Sequence, residues 1–308
     1  MLYASFVKHL NTITMKNLMQ FILPFLLLSG CNFSKSVNID LISGLTTKGD
    51  QISCENVSVS VDNQAVNRSS FTYGETFSIN FSGVEGLKTE NGKVFPGMEF
   101  IVRSAAGDTI LAKSDIYSDY ESGISLSPLV LSATLTAASP LHSGGDYTLN
   151  LRMWDKKDRG TFSAVFKFTI TPNEKIAIEK TDGVSCSELY LLSKETGKVI
   201  NDNVVKVNDE TYLLFEGLTG FTGSDDRVFP GLSMKATGAD GELLMNYEDM
   251  FSDYTVTGID AEEFQNQVLT KLNFNTADIK NPIHLSVTIW DKKGKASISA
   301  LTDLKLVN

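Results

Sequence analysis

Cysteine and histidine are scarce in this chain, and each scarcity excludes something. Three Cys in 308 residues cannot build a disulfide scaffold. Three His leave little material for a histidine-based metal or catalytic site. There is no His-x-x-x-His, no Cys-x-x-Cys, no phosphate-binding glycine loop, and no Ser/His/Asp order above chance. Acid pairs are abundant among 37 Asp+Glu, so spacing alone nominates no glycosidase pair. The chain reads as a non-enzyme with no cofactor and no metal. Positive charge is also short. The 27 Lys+Arg leave a net charge of −10, which argues against binding nucleic acid or adhering to anionic lipid by charge. With 42% hydrophobic and 21% charged residues the chain is globular, and its length allows one large domain or two of ordinary size.

The longest apolar run lies near the N-terminus. Lys16 precedes Leu18, Met19, Phe21, Ile22, Leu23 and onward to Leu28. A run of about a dozen residues is too short to span a bilayer and right for the apolar region of a signal peptide. It ends in Leu28-Ser29-Gly30-Cys31, which resembles the lipobox of bacterial lipoproteins. The resemblance implies that residues 1–30 are removed and that Cys31 is acylated as the first mature residue. That leaves 278 residues with a charge of −12, since Lys8 and Lys16 go with the signal. Met15-Lys16 is a natural start, which would make residues 1–14 a misassigned leader. Acyl chains would hold the protein to a membrane, most simply the outer membrane of the cell envelope. Residues 31–47 are expected to be the lipidated Cys and a polar tether. No acid follows Cys31 closely, which favours the periplasmic face over the surface.

The rest of the chain is written twice. Lys93-Val94-Phe95-Pro96-Gly97-Met98 recurs as Arg227-Val228-Phe229-Pro230-Gly231-Leu232, and Ser118-Asp119-Tyr120 as Ser252-Asp253-Tyr254, both at an offset of 134. Trp154-Asp155-Lys156-Lys157 recurs as Trp290-Asp291-Lys292-Lys293 at 136, and Ile52-Ser53-Cys54 as Val184-Ser185-Cys186 at 132. Over 93–120 against 227–254, ten of 28 positions are identical without a gap. Ordered landmarks with small drift mean tandem duplication, and a period this long makes each copy a whole domain. The expected domains are 48–172 and 173–308. His142 and His284 do not fall on equivalent positions.

Each copy has strand periodicity. Phe162, Ala164, Phe166, Phe168 and Ile170 alternate with more polar neighbours, as do Ile298, Ala300, Thr302, Leu304 and Leu306. Tyr147, Leu149, Leu151 and Met153 match Ile283, Leu285, Val287 and Ile289. Between these pairs lie Asp155–Gly160 and Asp291–Gly294, hairpin loops rich in turn formers. The only helical signal is Asp260-Ala261-Glu262-Glu263-Phe264, expected to open a short amphipathic helix to about Leu269. The expected fold is all-β: two tandem Ig-like β-sandwich domains, each with at most a short helix, after a lipoprotein signal peptide.

Two segments concentrate chemistry. Asp115, Tyr117, Asp119 and Tyr120, and their counterparts Asp249, Phe251, Asp253 and Tyr254, put two carboxylates, a hydroxyl and two aromatics into six residues of loop. Such oxygen density suits Ca²⁺, although no calcium-loop motif is present. Such aromatics suit a sugar ring, and the bland reading is a turn pinned to the core by its rings. Trp154 and Trp290 read as structural plugs at a strand end, or as platforms for a sugar or partner. The Asp and Lys residues after each Trp read as a solvated turn, and Cys54 and Cys186 as small buried thiols without a bridge.

Phe-Pro-Gly, Ser-Asp-Tyr and Trp-Asp-Lys-Lys together resemble uncharacterised Ig-like lipoprotein domains of gut-type Gram-negative bacteria, across both copies. The resemblance implies no particular activity. The first expectation is a lipid-anchored binding or scaffold module whose protein or glycan partner is unknown. Carbohydrate capture, by analogy with starch-binding lipoproteins that carry β-sandwiches behind a lipid anchor, is the second. The third is a fimbrial or pilus-type structural subunit.

Overall fold

The alternating segments of the sequence become strands with one buried face. A computed structural model describes residues 35–40, 44–125, 127–276 and 278–308. The signal segment, residues 1–14 within it and the lipobox ending in Cys31 lie outside the described residues. No helix among the described residues is long and apolar enough to cross a membrane.

The first part of the described chain supplies strands β1 (Lys35–Asp40), β2 (Leu45–Asp50), β3 (Ser53–Val61), β4 (Gln64–Val66), β5 (Ser70–Thr72), β6 (Thr76–Glu85), β7 (Pro96–Ser104), β8 (Thr109–Lys113), β9 (Val130–Thr136), β10 (Asp146–Asp155) and β11 (Thr161–Thr171). One sheet runs β4–β3–β6–β9. The other runs β1–β2–β11–β10–β7–β8, with β5 parallel to the end of β11. The chain changes sheet between β6 and β7, returns between β8 and β9, and crosses again to β10. So β3, β6 and β9 stand where strands A, B and E of an Ig-like sandwich stand, and β8, β7, β10 and β11 where C′, C, F and G stand. A tyrosine corner completes the likeness. The Tyr147 hydroxyl at the start of β10 accepts from the His142 amide at 2.8 Å. Within the segment 31–47, Lys35–Asp40 is strand paired to β2, not tether.

The second part repeats this plan. Its strands are β12 (Ile176–Lys180), β13 (Glu188–Ser193), β14 (Val199–Ile200), β15 (Val204–Lys206), β16 (Thr211–Glu216), β17 (Gly223–Ser224), β18 (Arg227–Val228), β19 (Pro230–Thr237), β20 (Leu243–Tyr247), β21 (Ile259–Asp260), β22 (Gln267–Leu272), β23 (Ile283–Asp291) and β24 (Ser297–Val307). The sheets run β14–β13–β16–β22 and β12–β24–β23–β19–β20, with β15 parallel to β24 and a small ribbon β17–β18–β21. Registers agree between the two: Gly97 pairs Trp154 as Gly231 pairs Trp290.

Packing differs inside. In the first sandwich Phe71, Phe77, Phe166 and Phe168 form an aromatic knot, with Phe71 and Phe77 stacked at 4.0 Å. By register, Val205, Thr211, Thr302 and Leu304 hold those places in the second, and all four are buried. The lost ring volume is partly replaced by a polar group. Asn203, itself buried, donates to Thr302 Oγ1 at 2.6 Å and accepts from Asn173 Nδ2 at 2.9 Å.

A short α-helix, α1 (Ala261–Asn266), enters just before β22. The Asp260 carboxylate accepts from the Glu262 and Glu263 amides, both at 3.0 Å, as the sequence suggests. The helix stops at Asn266 rather than near Leu269, because Val268, Thr270 and Leu272 alternate into the core and pair with β16. The two sandwiches touch. Tyr73 and Tyr190 lie 5.2 Å apart, and Tyr190 and Leu214 join the core of the first sandwich, so the described residues form one compact unit.

Candidate functional site

The three recurring motifs, far apart in sequence, meet at one end of each sandwich. Lys156 is the hub of the first. Its ammonium lies 2.7 Å from Asp115 Oδ2 and donates to the Tyr117 carbonyl at 3.0 Å, while its backbone amide donates to the Phe95 carbonyl at 2.9 Å. Asp115 Oδ1 accepts from the Met98 and Tyr117 amides at 3.0 and 2.8 Å. The second sandwich repeats every contact. Lys292 reaches Asp249 Oδ2 at 2.6 Å, the Phe251 carbonyl at 3.0 Å and Thr255 Oγ1 at 2.8 Å, and its amide donates to the Phe229 carbonyl at 2.9 Å. Asp249 Oδ1 accepts from the Leu232 and Phe251 amides at 3.2 and 2.9 Å. Strand pairing makes this possible, since Pro96 pairs Asp155 and Pro230 pairs Asp291.

Burial pushes the Asp115 and Asp249 carboxyls up. The lysine and amide hydrogen bonds outweigh it, and both lie below the ordinary value. A lysine ammonium therefore stands against the very carboxylate that the calcium reading required. Asp119 and Asp253 are exposed, and Asp119 accepts from Ser118 at 3.3 Å.

The tryptophans are half-buried and lie over glycine. A Cβ on Gly97 would run into the Trp154 indole, and one on Gly231 into that of Trp290. The glycine of Phe-Pro-Gly thus recurs where Trp recurs opposite it. The turn after each Trp is not merely solvated. Asp155 and Asp291 are buried, and accept from the amides of Lys88 at 2.6 Å and Thr222 at 2.7 Å respectively. For Asp291, burial pushes the carboxyl up, and hydrogen bonds led by those from Thr222 carry it below the usual value. Lys157 and Lys293 lie over the Phe95 and Phe229 rings at 4.7 and 2.9 Å.

The aromatics divide. Tyr117 is buried, its hydroxyl donating to the Ser132 carbonyl at 3.0 Å and accepting from the Ser132 amide at 2.7 Å, so it offers no platform. Phe251 is half-buried. Tyr120 and Tyr254 are open, 52% and 45% exposed. Beside Tyr254 the second sandwich has a groove of about 770 Å³ lined by residues including Arg227, Phe251, Glu263, Gln267 and Leu269. Its far wall is α1. The sequence carries a signal for it: the offset between copies is 134 at Tyr120/Tyr254 and 137 at the paired core positions Leu131/Val268, so three extra residues enter there.

Sequence reasoning missed Glu188. Its side chain is 2% exposed at the junction and accepts from the Ser143 amide and hydroxyl, both at 2.7 Å, with His142 Nδ1 at 3.5 Å. Burial raises its carboxyl above the ordinary value despite those partners. Cys54 and Cys186 are free, half-buried rather than buried, and burial pushes their thiols up to about 12 and about 11.

No family model matches the chain, and no curated protein matches it in sequence. Among solved structures it is similar to pT26-6p, with 10% identity and a TM-score of 0.25 over 89% of this chain and 65% of that one. It is also similar to a DUF3823 family protein from Bacteroides ovatus ATCC 8483, at 11% identity and a TM-score of 0.19 over 72% of this chain and 93% of that one. A third is the C-terminal domain of the Streptococcus agalactiae AgI/II polypeptide BspA, at 13% identity and 0.23, covering 80% and 99%. The chain spans about 65% of the length of pT26-6p. Likenesses at this level bear on no site or activity.

Proposed function

We propose that this chain is a non-catalytic binding or scaffold module of the bacterial cell envelope, built from two copies of one domain and held to the outer membrane by lipid on Cys31. The observation that supports presentation over catalysis is the fate of the recurring residues. The carboxylates of Asp115 and Asp249 are each bound by a lysine and two amides, which braces the loops that carry Tyr120 and Tyr254. A braced loop with an open aromatic suits recognition at low ordering cost. Leu28-Ser29-Gly30-Cys31 supports the anchor. The fimbrial reading has less support, because β11 and β24 are each paired on both sides within the chain, leaving no vacant place for a donated strand beside them.

The test is acylation. Mass spectrometry of the protein from the envelope fraction should find a lipid-modified N-terminal Cys31, and Cys31→Ser should release the chain from membranes. An unmodified wild-type chain in the soluble fraction would overturn the anchor.

A further inference from the structure

We propose that the groove between the Phe251–Tyr254 turn and α1 on the second sandwich binds a neutral oligosaccharide, and that the first sandwich has no such site. The inference rests on reading the chain as a binding module and adds where it binds and what.

Shape comes first. The volume of about 770 Å³ falls within the range of small-ligand sites. Its walls are held. Lys292 and Asp249 fix the turn, Arg227 donates to the Gly258 carbonyl at 3.4 Å, and Asp260 caps α1. The first sandwich has the matching turn and Tyr120, but among the described residues no helix precedes β9 to stand opposite it.

Chemistry then selects the ligand. The Tyr254 and Phe251 rings stand nearly perpendicular, at 84° and 6.0 Å, and Leu269 is open beside them. That is an apolar corner for the C–H face of a ring. Glu263 and Gln267 in the same lining offer acceptors to hydroxyls, and the Gln267 amide, which donates one hydrogen to Glu216 at 3.3 Å, has a second to give. Arg227 shares the lining with Glu262, Glu263 and the capping Asp260, so acids outnumber bases and the groove disfavours phosphates and uronic acids. A flat, uncharged polyol with one apolar face meets all three conditions.

The experiment is calorimetry on the full chain, purified in a detergent without a sugar headgroup, against maltohexaose, cellohexaose, xylohexaose and mannohexaose. At least one should bind. Tyr254→Ala should then weaken binding about tenfold or more, while Tyr254→Phe retains most of it and Tyr120→Ala changes it less than about twofold. An unchanged thermal midpoint for Tyr254→Ala, an exposed position, shows that the loss is local. A blank across all four sugars overturns the site and leaves the anchored-module reading standing, since that reading falls only if Cys31 proves unacylated. Loss with Tyr120→Ala but not with Tyr254→Ala overturns the placement. Capture of an extended peptide along β22, the open edge of its sheet, in place of any sugar also overturns it.

Discussion

At the scale of single residues, the recurring side chains hold the fold. Lys292 is the clearest case, because one ammonium serves a carboxylate, a carbonyl and a hydroxyl while 15% exposed. Lys292→Met leaves Asp249 without its ion partner and should cost about 1–3 kcal/mol in urea denaturation. Lys293→Met removes only a contact over the Phe229 ring and should cost about 1 kcal/mol or less. Gly231→Ala drives a methyl into the Trp290 indole and should cost about 1–3 kcal/mol by thermal unfolding. These dependences were half legible. The residues stand out by recurring, but their convergence needs the β19–β23 register, which brings Lys292 beside Asp249 from 43 positions away.

Among elements, strands were easier to read than the helix. β10, β11, β23 and β24 bury the alternating residues that the sequence marks, because each has one face on the core. The start of α1 was legible from its cap, but its end was not, because the alternation of β22 begins while helix formers continue. A six-residue helix is marginal by itself and leans on its cap and on buried Phe264. Asp260→Ala should therefore cost about 1 kcal/mol locally. Hydrogen exchange should quicken across 261–266 while amides of β23 and β24 keep their protection.

For the molecule as a whole, the junction decides how the two sandwiches behave, and Glu188 is its titrating group. Its folded carboxyl lies above the ordinary 4.5, so below pH 4.5 both folded and unfolded states hold the proton. As pH rises, the unfolded state ionises first. The stability that Glu188 contributes as an acid is then lost until the folded group ionises too. Glu188→Gln keeps an acceptor for Ser143 and has no proton to lose. Its urea midpoint should be flatter than that of wild type as pH rises above 4.5. A variant as steep as wild type would assign the slope elsewhere. Nothing in the sequence marks Glu188 among 37 acids, since only docking of the second sandwich against the 142–143 turn buries it.

Sequence by itself determined the class of fold, the repeat of its motifs and the sites worth inspecting, because alternation and recurrence are properties of one dimension. Tertiary structure decided which of those residues are free. Tyr117 and Tyr120 are three positions apart in the same turn, yet one is buried on Ser132 and the other is open. It also decided that the Tyr254 loop faces α1, a six-residue helix in a stretch three residues longer than its counterpart, whereas among the described residues no helix stands beside the Tyr120 loop. Burial and opposition depend on what packs across from a residue, and partners across a sandwich lie far away along the chain.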